Sequence, residues 1–251
     1  MTQKRALIPN SFTMTNMILG FIAIIIASRG TPRDFAIAGA LVFLASFFDF
    51  FDGAAARALG VESEVGLQLD SLADAIAYGI APGFISYQAY LSKLPDIAFG
   101  INWGMVIAPI FPICATYRLA RFNVTEAEGD GFQGLPSPAA GIFISSIPAL
   151  AFSTILFVGK IDFNIPVHFF VPMYVVIALL MISDVDYAKV FAGVVRRGKK
   201  AVIIGGIITV LLVFYFNMWT VFVLTGGYIV LGMIMYLLQS LKKKPAEKAK
   251  K

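Results

Sequence analysis

Asp49, Asp52, Asp70 and Asp74 are the residues in this sequence best placed to do chemistry. All four lie between residues 49 and 74, in a stretch otherwise dominated by Ala, Leu, Phe and Gly. Asp49, Asp52, Gly53 and Ala56 fall at i, i+3, i+4 and i+7, one face of a helix. Gly66, Asp70 and Asp74 fall at i, i+4 and i+8, again one face. The connection between Arg57 and Gly66 is short enough to make the two helices antiparallel neighbours. Two acidic faces can then converge, and bound cations make such crowding of negative charge tolerable. Two divalent ions about 3.5–4 Å apart would balance four carboxylates. Oxygen-only ligands favour Mg²⁺ or Mn²⁺ over zinc.

The surroundings sharpen that expectation. Apolar residues make up 59% of 251 residues and charged residues 14%, against roughly 25% charged in an average soluble domain. An ionised carboxylate in a membrane span costs about 2.5–3.5 kcal/mol on insertion scales, so four of them call for a function. Interhelical polar contacts alone do not account for them, because the single nearby cation, Arg57, cannot neutralise four acids. A cation channel or transporter calls for acids spread along the membrane depth on several helices. Here they sit at one end of two helices, roughly 10 Å deep at 1.5 Å per residue, where lipid phosphates meet acyl chains. That confinement favours an enzyme working on a lipid headgroup. Gly53, Ala56 and Gly66 leave room on the same faces for a ligand close to the backbone, and Arg57 can pair with a phosphate or an aspartate.

Apolar runs position these residues. Candidate spans are 10–28, 35–59, 66–91, 102–122, 137–158, 165–183, 201–218 and 219–241, with no long period-2 alternation that would suggest a barrel. The expected fold is all-α, a polytopic helical membrane protein of about eight transmembrane helices. Six form a core over 1–183, and two accessory helices span 201–241. Residues 184–200 place Tyr187, Val190, Phe191, Val194 and Val195 on one face beside a basic cluster, as in a helix lying on the cytoplasmic surface. Residues 242–251 read as a basic disordered tail. With both termini inside, 16 of the 20 Lys and Arg fall on the cytoplasmic side and 4 (Arg29, Arg33, Lys93 and Lys160) on the other. The aspartate end is then cytoplasmic. The net charge of +5 reads as topology and attraction to lipid surfaces, with no nucleic acid partner.

Other signals are quiet. Residues 27–30 make a poor small-residue cleavage site, so the first apolar run is expected to be a retained helix. The single cysteine, Cys114, excludes an intrachain disulfide and a cysteine cluster and reads as a packed thiol. His168, the single histidine, sits beside Phe169 and Phe170 and reads as packed or interfacial.

From Asp49 onward the chain reads D-x2-D-G-x2-A-R-x8-G-x3-D-x3-D. This pattern resembles the signature of the CDP-alcohol phosphatidyltransferase family, and the resemblance covers the first six spans. It implies that Asp49, Asp52, Asp70 and Asp74 hold two divalent cations and that Asp74 is the general base. It further implies that Asp52, Gly53, Ala56, Arg57 and Gly66 shape the site for the CDP-lipid. Pro9-Asn10 with Thr13 is similar to a family element near the nucleotide, which adds Asn10 and Thr13. A homodimer is implied by the family alone.

The stretches Tyr117–Asn123 and Phe132–Gly141 resemble the branch that uses L-serine as acceptor and makes phosphatidylserine. Arg118 and Arg121 could pair with the serine carboxylate, with Asn123 and Gln133 supplying hydrogen bonds. The expected reaction transfers a phosphatidyl group from CDP-diacylglycerol to L-serine and releases CMP. Glycerol 3-phosphate, inositol phosphate or inositol as acceptor is the alternative, since the phosphorylated ones also want arginine. A divalent-cation transporter and a non-enzymatic nucleotide-lipid binding protein are the remoter readings. The phospholipase D-like chemistry, which needs paired histidines, does not fit a chain with one.

Overall fold

The computed structural model describes residues 2–128, 133–150, 154–155, 159–160, 165–185, 187 and 218–248. The first helix, α1 (Thr2–Ala27), is followed by α2 (Pro32–Leu59). The start of α2 is written in its sequence. Thr31 accepts from the backbone N–H of Asp34, Pro32 sits in the first turn with its fixed φ, and Asp34 meets the positive end of the helix dipole. Gly60, at φ 61°, ends α2 in the left-handed conformation, its N–H reaching back to the carbonyls of Ala56 and Arg57. Three residues later Ser63 caps α3 (Glu64–Asp74) by accepting from Gly66 N–H at 3.1 Å.

At Asp74 the regular helix gives way to a π segment, Ala75–Ile80, which leads into α4 (Ala81–Ala89). The wider π turn changes which way the side chains after Asp74 point. Close backbone packing holds it in place. A Cβ on Gly20 of α1 would come within 2.7 Å of Ala77 Cα. One on Gly141 would come within 2.7 Å of the Tyr78 carbonyl.

After a 3₁₀ turn (Leu91–Lys93) a short hairpin follows, β1 (Asp96–Ala98) against β2 (Ile101–Asn102). Helices α5 (Trp103–Ile107) and α6 (Ile110–Glu128) come next, then α7 (Ser137–Leu150). A second hairpin pairs β3 (Thr154–Ile155) with β4 (Gly159–Lys160). The last described helices are α8 (Val167–Ile182) and α9 (Met218–Lys248).

The fold is a helical membrane bundle. Among the described residues, four helical stretches are long and apolar enough to cross a bilayer: Ala6–Ala27, Pro32–Leu59, Trp103–Val124 and Met218–Leu238. Two shorter apolar helices, α7 and α8, accompany them. Helix α7 is the centre of the core, its residues from Ala140 to Leu150 all buried. Around it Tyr90 stacks on Phe170 at 4.1 Å, and the Tyr174 hydroxyl donates to Ala108 O at 2.7 Å. Leu7, Ile18, Phe21 and Ile25 of α1 and Val230, Leu231 and Leu237 of α9 stay exposed, as lipid-facing residues do.

Several expectations need correction. The range 137–158 is not one helix: α7 is described over Ser137–Leu150, whereas Thr154–Ile155 pairs as a strand with Gly159–Lys160, and β-branched residues there favour strand. The two hairpins are small exceptions to an all-α chain. Of the stretch from 242 read as a disordered tail, residues up to Lys248 lie in α9, which runs through Pro245. Helices α2 and α3 do not pack mainly on each other; both pack on α1. All of the 201–218 span except Met218, and most of the 184–200 surface segment, lie outside the described residues.

Candidate active site

Helix α2 brings Asp49 and Asp52 to the site, and α3 brings Asp70 and Asp74. Three of the four converge. Carboxylate oxygens of Asp49, Asp70 and Asp74 all lie within 4.8 Å of one another. Asp74 is buried, and Asp49 and Asp70 are half-buried. Such close negative charges in a low-dielectric interior repel strongly unless a cation joins them. The donor set fits a hard divalent cation: all ligating atoms are oxygens, and Oδ1 of Asp70 is buried with no hydrogen-bond partner.

Asp52 is not part of that trio. Its Oδ2 accepts from the Thr13 hydroxyl at 2.8 Å, and the residue is turned toward a cavity of about 690 Å³. Asn10, Thr13, Asp52, Gly53, Ala56, Arg57 and Gly66 all line this cavity, so every residue expected to contact the CDP-lipid faces one space. Asp70 lines it too, which joins the cavity to the acid cluster. Arg57 folds back over Gly53, where a Cβ would sit 3.3 Å from its Nη1. The tight turn after Gly60 delivers Glu62, Ser63 and Glu64 to the rim, and Phe122 of α6 forms part of the wall; the sequence reading named none of these four.

Two further residues at the cluster were missed. Asn16 of α1 is fully buried and donates from Nδ2 to Oδ1 of Asp74 at 3.0 Å. A signal for it existed: Thr13 and Asn16 are polar and three apart inside an apolar span, hence on one face. Tyr78 is the other; its hydroxyl is buried and lies within electrostatic reach of all four aspartates. A signal for it existed as well: Tyr78 follows Asp74 by four residues and so continues the face of Gly66, Asp70 and Asp74, while the π turn sets its final direction.

The four residues expected to read the acceptor separate into different roles. Arg121 of α6 is a brace. It donates to the carbonyls of Ile182 (3.1 Å), Gln133 (3.1 Å) and Ser183 (3.3 Å), tying the entry to α7 and the exit of α8 to α6. Gln133 is exposed and takes part through its backbone carbonyl. Asn123 donates to the Ser71 hydroxyl at 2.9 Å, clamping α6 to α3 beside Asp70. Arg118 is buried, donates from Nη1 to Ser137 Oγ at 3.0 Å, and feels the charge of Asp74. Cys114 is a buried free thiol as expected, and His168 is exposed at the start of α8 against the Phe169 ring.

Comparison with known proteins agrees with this geometry. A family model described as CDP-alcohol phosphatidyltransferase matches residues 6–237. A Helicobacter pylori protein named CDP-diacylglycerol–serine O-phosphatidyltransferase is 31% identical over 241 residues, covering 94% of this chain and 93% of its own. A Methanocaldococcus jannaschii protein of the same name is 32% identical over 187 residues, 74% of this chain and 76% of its own. A Mycobacterium leprae protein, also so named, is 34% identical over 151 residues, 57% of this chain; there the match spans less than half of the relative, 47%.

Proposed function

This chain belongs to the CDP-alcohol phosphatidyltransferase family, and we propose that it transfers the phosphatidyl group of CDP-diacylglycerol to L-serine, giving phosphatidylserine and CMP. The observation that carries the reading is the meeting of Asp49, Asp70 and Asp74 beside a cavity lined by the rest of the motif. The serine acceptor follows the names of the relatives.

The cavity residues bind and orient the donor. Arg57 offers its guanidinium to the diphosphate, and the small Gly53, Ala56 and Gly66 let the nucleotide approach the helix backbones. Two divalent cations, Mg²⁺ or Mn²⁺, held by Asp49, Asp70 and Asp74 with Asp52, would offset the diphosphate charge and favour departure of CMP. The serine hydroxyl oxygen attacks phosphorus in line, the bond from phosphorus to the CMP oxygen breaks, and the hydroxyl proton passes to Asp74. Asn16 fixes one oxygen of Asp74, which orients the other for that transfer.

The excess of Lys and Arg at the acidic end supports a site and both termini on the cytoplasmic side of the cell membrane. The family resemblance further suggests a homodimer, which light scattering of the purified protein in detergent would test. The reaction is tested by incubating pure protein and CDP-diacylglycerol with serine, glycerol 3-phosphate, inositol phosphate or inositol, with Mn²⁺ or EDTA. CMP release with serine, abolished by EDTA, is the expected result. Preferred use of glycerol 3-phosphate would overturn the acceptor while leaving the family chemistry in place.

A further inference from the structure

The β1–β2 hairpin is apolar where an exposed turn is usually polar. It reads Asp96-Ile97-Ala98-Phe99-Gly100-Ile101-Asn102, with a single charge at Asp96. Phe99 is completely exposed, and Ile97 and Ile101 are exposed on either side of it. Phe99 and Gly100 form the two-residue tip, and both have positive φ, 53° and 74°. Phe99 is the one non-glycine residue in that backbone region among the described residues. Hairpin tips of this hand favour Asn or Asp before Gly, because a bulky side chain is strained in left-handed backbone. In water Phe99 would therefore be unfavourable twice, for its backbone and for its bare ring.

The stem, by contrast, is held firmly. Asn102 is buried; its Nδ2 donates to Ser92 O at 3.2 Å, and its Oδ1 accepts from the Met105 N–H at 2.9 Å and so caps α5. The Trp103 N–H donates to Pro95 O at 3.1 Å. A Cβ on Gly104 would collide with the Leu91 carbonyl. A fixed stem thus presents an apolar tip.

The stem also sets the level of the hairpin. The apolar stretch Trp103–Val124 has 22 residues, about 33 Å at 1.5 Å per residue, close to the roughly 30 Å of a bilayer core. Its Val124 end lies beside the acids, since Asn123 bonds to Ser71. Trp103 then stands at the far boundary, where tryptophan is favoured, with the hairpin next to it. Exposed Trp103, Met105 and Val106 carry the lipid-facing surface of that stretch up to the hairpin. Exposed Lys93, over the Tyr90 ring at 5.7 Å, supplies a cation at the level of lipid phosphates.

We propose that the β1–β2 hairpin is a lipid anchor, with Phe99, Ile97 and Ile101 inserted into the leaflet opposite the acidic end. Only side chains enter the acyl region. The strands stay among the headgroups, where their outer N–H and C=O groups still meet water. Lys93 pairs with a lipid phosphate behind the tip. Immersion removes the cost of the bare ring and ties the ends of α4 and α5 to the membrane surface.

Spin labelling of the full chain in phosphatidylcholine vesicles tests this. In a Cys114→Ala background a nitroxide is placed at Phe99→Cys or at Ile101→Cys, with Glu62→Cys as reference on the open rim at the other end. Collisions with oxygen, which concentrates among acyl chains, should exceed those with a water-soluble nickel chelate at 99 and 101, and the order should reverse at 62. Adding Phe99→Asn to the Ile101→Cys protein keeps a residue that tolerates the left-handed turn but removes the ring. Nickel collisions at 101 should then rise severalfold. Dominant nickel collisions at 99 and 101 in the parent sequence would put the tip in water and overturn the proposal. Weak collisions with both reagents would mean that protein, such as a second copy of the chain, covers the tip, and would overturn it too. An unchanged reading at 101 on adding Phe99→Asn would show that the ring is not the anchor. The label at 101 leaves Phe99 in place, so it decides the matter even where the Phe99→Cys protein does not fold.

Discussion

Asn16 and Asp74 stand 3.0 Å apart, the Asn16 amide donating to a carboxylate oxygen, with 0% and 7% of the two residues exposed. The bond crosses from α1 to the end of α3, just before the π turn, and so fixes the rotamer of the acid assigned as base. A charge-assisted hydrogen bond inside a low-dielectric bundle is stronger than its counterpart in water. Replacing Asn16 with Ala is expected to lower kcat by about 10- to 100-fold, with a smaller change in the KM for CDP-diacylglycerol. Steady-state CMP release checks this. A variant with parental kcat removes Asn16 from the site.

The trio of Asp49, Asp70 and Asp74 makes a sharper demand. Asp49→Asn or Asp70→Asn should abolish metal-dependent turnover, because each removes a ligand charge from a dication. The bundle should still form, since losing a buried charge lightens the cost of insertion. Mn²⁺ binding followed by electron paramagnetic resonance should weaken in parallel with activity. Near-normal CMP release by either variant would contradict a metal site at these residues.

Asp74→Asn separates chemistry from binding. As general base its loss is expected to cost about 10²–10⁴-fold in kcat. Binding of CDP-diacylglycerol, read by equilibrium titration, should persist through the cavity lined by Asn10, Thr13, Asp52 and Arg57. Turnover within a few-fold of the parent would exclude the base role.

Arg118 and Arg121 should part company when each is changed to Lys. Arg118→Lys cannot reproduce a side-on fork and should raise the serine KM. Arg121→Lys loses geometry that serves three backbone carbonyls, so it should destabilise the protein by about 1–3 kcal/mol while sparing the serine KM. Thermal unfolding in detergent and acceptor titration together decide this. The reverse pattern would exchange the two roles.

The link from Thr13 to Asp52 predicts a donor-side effect. Thr13→Val keeps the shape but leaves Asp52 without its 2.8 Å donor. The KM for CDP-diacylglycerol should rise about three- to tenfold while that for serine stays put. An effect confined to serine would mean that this cavity does not hold the donor.

The sequence by itself determined the class of fold and most of the lining of the proposed donor site. Both are governed by local rules: apolar length sets the spans, and helical period puts Asp49, Asp52, Gly53 and Ala56 on one face, with Gly66, Asp70 and Asp74 on another. The caps at Thr31, Gly60 and Ser63 are equally local. What it could not determine are relations between helices distant in the chain. Packing of α2 and α3 on α1 drew Asp49 into the cluster with Asp70 and Asp74, while Asp52 turned to Thr13. Close backbone contacts at Gly20 and Gly141 pack against the π turn, whose extra width the spacing of Asp70, Asp74 and Tyr78 does not announce. Arg118 and Arg121 are three apart on α6 and look interchangeable in sequence. Tertiary structure told them apart, because the carbonyls of Gln133, Ile182 and Ser183 reach Arg121, whereas Arg118 points inward to Ser137 and the charge of Asp74.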